Sequence, residues 1–212
     1  MALVAEVIKS ISHRINYIFM KQVKALQTLQ ASGKKIFSSA DLQKILQVAD
    51  SNYSHVQATR LAKEGVIERV MRGWYVLASN RPSDFELANV LYGPSYVSLD
   101  SALNFYGILV QSPQEIISAT TGLARKIEAG GKTFSYVHLD QKYYSDYQKS
   151  GDFLIASPEK ALVDAMFFVA LGRGSLSVEE LNLQSIDKDK VKQMASKITN
   201  KAFKNYFDSI KI

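Results

Sequence analysis

Hydroxyl, amide and guanidinium side chains in the first third of the chain have the chemistry needed to contact a DNA duplex. The amides of Asn52 and Gln57 can each pair with adenine through two hydrogen bonds, and Arg60 can pair with guanine in the same way. Ser51 and Tyr53 stand at the expected start of a helix, where their hydroxyl groups can reach phosphate oxygens. These residue types predict a surface that binds the DNA backbone and reads base edges.

Three further cations extend this candidate surface. Lys63 ends the same predicted helix, while Arg69 and Arg72 flank a tight turn from which they could reach the DNA backbone or the minor groove. Trp74 and Tyr75 follow, and we expect them to pack in the core and between domains rather than to stack on bases. The alternative for the polar helix residues is a surface kept for contacts with another protein.

The pattern around these residues predicts short helices followed by a hairpin. Ser38 and Asp41 have the spacing of a capping box, in which two side chains satisfy backbone amides at a helix start. Residues 3–32 are expected to be helical and to break near Ser12 or Asn16 into an N-terminal extension and a first core helix ended by Gly33. The other expected elements are a turn near Ala49–Asp50, a helix from Ser51 or Asn52 to Lys63 or Glu64 ended by Gly65, a strand over residues 66–70, a turn at residues 71–73 and a strand over residues 74–77. This order is that of a winged helix-turn-helix, whose second helix enters the DNA major groove.

A helical wheel of that second helix separates a buried face from an exposed one. Ser54, Ala58 and Leu61 recur at helical spacing, and we expect them to pack on the preceding helices. The opposite side carries Val56 with four polar or basic candidates, Asn52, Tyr53, Arg60 and Lys63, and Gln57 lies at its edge.

The charge distribution favours a phosphate-binding surface in the same region. The chain carries 26 Lys and Arg against 20 Asp and Glu, a formal net charge of +6. Up to Val76 there are 11 basic and 5 acidic residues, whereas the remainder has 15 of each sign. All of the positive excess therefore lies with the predicted helix-turn-helix, where counterion release on DNA binding would use it.

Several classes of protein are excluded or disfavoured by composition. The chain has no cysteine, which excludes disulfides, thiolate zinc sites and cysteine nucleophiles and suits a reducing cytoplasm. Its longest apolar run, Ala161–Leu171, is too short to cross a bilayer, and the charged N-terminus lacks a signal-peptide core. We therefore expect a cytoplasmic protein that makes no membrane contact.

An enzyme finds little support in the sequence. No phosphate-binding loop or dinucleotide fingerprint is present. Asp152, Glu159 and Asp164 could form paired carboxylates, but they fit better as a turn residue, a first-turn residue of a helix and a polar residue of a buried helix. Three histidines lie far apart, without a partner at the spacing of a metal site or a triad: His13, His55 and His138. We expect no catalytic residue, no metal and no cofactor.

The remainder of the chain predicts a second domain of mixed α/β structure. We place the winged helix-turn-helix domain, with its N-terminal helical extension, at residues 1–80 and the second domain at residues 81–212. The expected elements are a linker at residues 80–83, helices over residues 84–91, 100–106 and 158–171, strands over residues 96–98, 115–121, 132–139 and 153–156, and a tail of small helices over residues 178–210. The fold class is therefore α+β.

Three motifs resemble those of AbiEi-type antitoxins. The first extends from Arg60 to Arg69 and into Arg72-Gly73-Trp74-Tyr75, similar to the family's Leu-x-x-x-Gly run and its Arg-Gly-x-Tyr wing. The second, from Tyr96 to Gly107, resembles a Ser-x-x-Ser-Ala-Leu…Gly element. The third, from Ser157 to Asp164, resembles a Ser-Pro-Glu-x-x-Leu-x-Asp element. The resemblance covers roughly residues 23–171.

The resemblance implies a transcriptional repressor that is also the antitoxin of a type IV toxin–antitoxin pair linked to abortive phage infection. In such proteins the N-terminal domain binds an inverted repeat at the operon's promoter. The C-terminal domain neutralises a nucleotidyltransferase toxin, typically without a stable complex. Two protein copies on an inverted repeat would follow from the symmetry of the DNA.

Three alternatives stay open at this point. The chain could be a stand-alone transcription factor, or an adaptor whose winged helix docks a protein instead of DNA. It could also be an enzyme with a catalytic site in the second domain. Salt-dependent duplex binding separates the repressor from the adaptor, and loss of an activity on changing the three carboxylates would support the enzyme.

Overall fold

The chain forms two compact units, Met1–Pro82 and Ser83–Ile212. The computed structural model describes residues 22–47 and 51–210, and the side chains of residues 51–53 and 179 lie outside the description. The predicted N-terminal extension, the predicted break near Ser12 or Asn16 and the predicted turn at Ala49–Asp50 therefore fall outside the described residues.

The first unit has the element order of a winged helix-turn-helix. Its helices are α1 over residues 22–31, α2 over Ser39–Ile45 and α3 over Ser51–Lys63, and its strands are β1 over Ile36–Ser38, β2 over Ile67–Met71 and β3 over Trp74–Leu77. The three strands form an antiparallel sheet in the order β1-β3-β2. Strand β1 was not expected from the sequence, because three residues show too little alternation to indicate a strand.

The start of α2 is fixed by the predicted capping box, which the structure confirms. The Asp41 amide donates to the Ser38 hydroxyl at 3.1 Å, and the Ser38 amide donates to the Asp41 carboxylate at 2.9 Å. Lys34 donates to the same carboxylate at 2.5 Å. Two amides at the helix start are satisfied in this way, and the chain direction between β1 and α2 is set.

Removal of this cap is expected to destabilise the first unit in a pH-dependent way. Partial burial would raise the pKa of Asp41, but hydrogen bonds from Lys34 and Ser38 outweigh that effect and hold the pKa below its ordinary value of 3.8. Because the pKa is lowered on folding, its contribution is present above the unfolded-state pKa and is lost as pH falls through the folded-state pKa. We expect Asp41→Ala to cost about 1 kcal/mol at pH 7 and less at pH 3.

Urea denaturation at the two pH values measures this effect. Trp74 is the chain's one tryptophan and pairs with Ser38 across the sheet, so its fluorescence reports unfolding of the first unit. Asp41→Asn is the matched control, because it keeps an acceptor for the Ser38 amide but removes the titratable charge. Equal unfolding free energies for wild type and Asp41→Ala at pH 7 would contradict the assigned role.

The core of the first unit lies between the three helices and the sheet. It is built from side chains that alternate or recur at helical spacing in the sequence. Nine buried residues make up this cluster: Leu29, Phe37, Leu42, Ala58, Leu61, Val66, Ile67, Tyr75 and Leu77. Leu42 and Phe37 are 0% exposed, so α2 and β1 are held to the rest of the unit mainly by burial of apolar surface.

The second unit is built on a six-stranded mixed sheet in the order β6-β7-β5-β4-β9-β8. Its strands are β4 over Ser95–Val97, β5 over Ile116–Thr120, β6 over Arg125–Ala129, β7 over Lys132–His138, β8 over Tyr147–Ser150 and β9 over Phe153–Ala156. Its helices are α4 over Asp84–Leu91, α5 over Leu99–Phe105, α6 over Pro158–Ala170, α7 over Lys188–Ser196 and α8 over Lys201–Ser209. The β5–β7 and β4–β9 pairs are parallel, and the others are antiparallel.

Most elements predicted for this unit are present, with small shifts at their ends. Helix α6 begins as expected, with the Ser157 hydroxyl accepting the Lys160 amide and Pro158 in the first turn. It contacts α5, α7 and α8, and ten of its residues in succession, 159–168, are buried. Two edge strands, β6 and β8, were missed because their sequences are largely exposed and charged or polar.

A buried polar network lies beneath α6. Lys160 and Asp164, one helical turn apart, form an ion pair whose side chains are 5% and 2% exposed. The hydroxyls of Tyr96 and Ser98 donate to the other Asp164 carboxylate oxygen at 3.0 and 2.8 Å. Burial, followed by the nearby Asp164 charge, raises the pKa of Tyr96 far above its ordinary value, which keeps that hydroxyl a donor. Both charges are therefore matched inside the core.

Candidate nucleic-acid interface

Helix α3 has the two faces that the helical wheel predicts. Ser54, Ala58 and Leu61 are 6%, 2% and 4% exposed and face the core. On the other side Val56 is 62% exposed, and Lys63 is also exposed. The burial of one face fixes the rotation of α3, so the second face is presented to solvent along the whole described part of the helix.

The predicted base-reading residues on α3 differ in how far the structure describes them. The backbone of Ser51, Asn52 and Tyr53 is helical, but their side chains lie outside the described residues. Gln57 is half-buried, which agrees with its predicted position at the edge of the exposed face. The roles of these four residues in DNA contact stay predictions.

Arg60 is tied to its own helix. Its Nε donates to the Glu64 carboxylate at 2.8 Å, one turn further along, and its side chain is 40% exposed. An exposed pair of this kind contributes only about 0.3–0.5 kcal/mol to stability. The larger effect of the ion pair is to set the direction of the Arg60 guanidinium. The sequence did not predict this pair.

The wing, which is the β2–β3 hairpin, is hydrogen-bonded to the start of α2. Arg72 and Gly73 make the tight turn between β2 and β3, and Met71, expected in the turn, belongs to β2. The Ser39 amide donates to the Gly73 carbonyl at 2.9 Å, and the Ser39 hydroxyl also reaches it at 3.4 Å. Gly73 has φ +79°, a backbone conformation that side-chain-bearing residues rarely adopt. The exposed Arg72 side chain is therefore presented from a fixed turn.

The other wing residues considered from the sequence, Arg69, Trp74 and Tyr75, differ in how far they are exposed. Arg69 is exposed, and its Nε donates to the Met71 carbonyl at 3.4 Å. Tyr75 is 5% exposed and belongs to the core, as expected, while Trp74 is half-buried. The part of the Trp74 and Tyr75 prediction that concerned packing between domains is not tested by these observations.

The electrostatics of the first unit leave particular cations available. Its three described carboxylates are each engaged by a cation: Asp41 by Lys34 at 2.5 Å, Glu64 by Arg60 at 2.8 Å and Glu68 by Arg81 at 3.0 Å. Within the described residues Lys63 and Arg72 form no ion pair. Both are exposed, so their charge is not neutralised by the protein and can act on an external anion.

A shallow concavity of about 430 Å³ lies on the exposed face of α3. The side chains that line it are His55, Val56, Thr59, Arg60 and Lys63. His55 and Thr59 were not among the predicted contacts, although the helical wheel places Thr59 three residues after Val56 on the same face. The face thus combines two β-branched side chains with cations.

The second unit has a separate concavity of about 600 Å³, between its sheet and the ends of α5 and α6. Across it Glu115 accepts hydrogen bonds from Lys126 at 2.8 Å and from the Ser135 hydroxyl at 2.6 Å. Asp100 also lines it, and burial raises the pKa of that carboxyl. The concavity can bind polar groups, and Leu99, at φ +49°, places Asp100 at its edge.

The three carboxylates considered for an enzyme do not gather into a site. Asp152 is exposed in the β8–β9 turn, Glu159 accepts the Asp187 amide at 3.3 Å, and Asp164 is held in the buried network under α6. These surroundings match the structural roles expected from the sequence. Within residues 22–47 and 51–210 no cluster of three or more potential metal ligands occurs.

The fold and this surface define the first unit as a winged helix-turn-helix with a basic exposed helix and a basic wing. Residues 24–78 match the model of a protein family described as "Transcriptional regulator, AbiEi antitoxin". The resemblance drawn from the sequence is therefore confirmed over those residues, and the matched family is one of regulators, not of enzymes. The search of curated proteins found no match.

The family match ends at residue 78, so it does not include the second unit. The resemblance drawn there, at Tyr96–Gly107 and Ser157–Asp164, stays a prediction. Among the described helices, none has the length and apolar character needed to cross a bilayer.

Proposed function

We propose that the chain is a sequence-specific repressor that binds double-stranded DNA through α3 and the wing. The observation that carries the proposal is that Lys63 and Arg72 are exposed without an ion-pair partner among the described residues, while every described carboxylate of the unit is engaged. Unpaired, exposed cations on a helix and a wing are the arrangement that phosphate contact requires.

In this proposal the exposed face of α3 lies in the major groove, and the wing follows the backbone. Helix α3 supplies groups for base edges near its start and middle and a phosphate contact at its end. The wing arginines contact phosphates or the minor groove. The residues assigned to DNA contact are Ser51, Asn52, Tyr53, Gln57, Arg60, Lys63, Arg69 and Arg72.

Salt-dependent binding tests the assignment. Lys63→Ala and Arg72→Ala are each expected to weaken binding to specific and unrelated duplexes by similar factors. Each should lower the slope of log affinity against log salt by about one per protein copy, because each variant neutralises one phosphate fewer. Fluorescence anisotropy with labelled duplexes at four salt concentrations measures both quantities.

The matched control for these variants is Lys188→Ala, which removes an exposed lysine from the charge-balanced second unit. It should leave the salt slope unchanged. If neither Lys63→Ala nor Arg72→Ala changes the slope of log affinity against log salt, the proposed contacts of α3 and the wing with phosphates are wrong. Absence of duplex binding by the wild-type chain even at low salt would favour the protein–protein adaptor.

We further propose that the repressor is the antitoxin of a type IV pair, with DNA binding in residues 1–80 and antitoxin action in residues 81–212. The match to an antitoxin regulator family over residues 24–78 supports the assignment. The functional counterpart would be a nucleotidyltransferase toxin that forms no stable complex with this chain. An inverted-repeat operator would bind two copies, and the protein would act in the cytoplasm.

A further inference from the structure

An exposed valine lies on the proposed recognition helix. Val56 is 62% exposed, against 37% for Val23, the other large apolar residue of the first unit that is exposed among those described. Both lie on helices, and Val56 lines a concavity that it shares with Arg60 and Lys63. An apolar side chain between cations is poorly suited to the core of a protein interface, where charged residues are depleted.

Thr59 adds a further methyl group to the same face. Its hydroxyl donates to the His55 carbonyl at 2.8 Å, so the helix itself uses the polar part of the side chain. The methyl group is the part left for an external contact. Val56 and Thr59 are three residues apart, a separation of about 4.5 Å along a helix axis. Successive bases on one DNA strand are about 3.4 Å apart.

The major groove presents one apolar group, the C5 methyl of thymine. We infer that Val56 and Thr59 contact thymine methyl groups and so select thymine at neighbouring positions of the bound site. The inference rests on the proposed function and deepens it, because it names the base and the atom that α3 reads. Lys63, which forms no ion pair among the described residues, matches the phosphates that border the groove, and this favours DNA over a protein partner for this face.

The experiment compares thymine with uracil, which lacks only the C5 methyl. A tight-binding duplex is first selected from a random pool with the full-length protein, then amplified with dTTP or with dUTP. The wild-type protein is expected to bind the uracil duplex about fourfold more weakly for each thymine methyl that it touches, the factor expected for one buried methyl-sized group.

Two variants assign the effect to these side chains. Val56→Ala should bind the thymine duplex more weakly than wild type and should lose most of the preference for thymine over uracil. Thr59→Ser removes the methyl group but keeps the hydroxyl that donates to His55, and it should lose a smaller part of the preference. Val23→Ala, an exposed valine shortened on α1, is the matched control and should keep the full preference.

The outcomes separate this inference from the function on which it rests. A thymine preference that falls in Val56→Ala supports the inference. Equal binding of both duplexes by wild type, or an undiminished preference in Val56→Ala, overturns it while leaving DNA binding in place. If the wild-type protein selects no duplex from the pool, DNA binding itself fails and the methyl contact with it.

Discussion

Replacement of Asp164 with alanine is expected to lower the free energy of unfolding of the second unit by about 3–5 kcal/mol. The variant would leave Lys160 charged and buried, with its side chain 5% exposed and its ion-pair partner gone. The hydroxyls of Tyr96 and Ser98 would also lose their acceptor. Each unsatisfied buried group adds a desolvation cost, so the loss should be far larger than for an exposed carboxylate.

The two units can be monitored separately in this measurement. Trp74, the one tryptophan, lies in the first unit, so its fluorescence follows that unit, whereas far-UV circular dichroism follows both. Asp164→Ala should shift the urea transition seen by circular dichroism and leave the tryptophan transition in place. Lys160→Met combined with Asp164→Leu removes both charges and should recover much of the loss, because no unpaired charge stays buried.

The same variant separates the two proposed activities. Duplex binding, assigned to the first unit, should persist in Asp164→Ala at temperatures where the second unit is unfolded. Neutralisation of a nucleotidyltransferase toxin on co-expression, assigned to the second unit, should be lost. If Asp164→Ala unfolds at the wild-type urea concentration by both probes, the buried network is not the support assigned to it.

Local sequence signals predicted those elements whose ends are set by neighbouring residues. Helix α2 begins where the Ser38–Asp41 capping box places it, and α6 begins at Ser157-Pro158 as expected. Strands β1, β6 and β8 were missed, because their own residue patterns are weak and pairing with a partner strand holds them in place. Such pairings leave little trace in a short window of sequence.

The candidate site shows the same division between local and long-range causes. The exposed face of α3 followed from helical spacing, since burial of Ser54, Ala58 and Leu61 determines which side chains face outward. The contact of Ser39 with the Gly73 carbonyl joins residues 34 positions apart and could not be inferred from spacing. The sequence predicts that α6 is buried but does not show what supports its Lys160–Asp164 pair, because the hydroxyls that donate to Asp164 come from residues more than 60 positions away.

Leu42→Ala is expected to destabilise the first unit by about 2–5 kcal/mol. Leu42 is 0% exposed and belongs to the cluster that joins α2 to α3 and the sheet. Truncation would leave a cavity beneath the helix pair and weaken the support for the exposed face of α3. The tryptophan transition in urea should move to lower concentration, and duplex binding should fail on heating at a lower temperature than in wild type.

The second unit supplies both the internal reference and the matched control for this change. The part of the circular dichroism transition that belongs to the second unit should stay where it is in wild type. Leu123→Ala truncates a leucine that is 75% exposed, and it should change either transition by about 0.5 kcal/mol or less.

Together with Asp164→Ala, Leu42→Ala perturbs each unit in turn. If the two activities belong to separate units, Leu42→Ala should lose duplex binding and keep toxin neutralisation. Asp164→Ala should lose toxin neutralisation and keep duplex binding. Loss of toxin neutralisation in Leu42→Ala while the second unit stays folded would contradict the assignment of one activity to each unit.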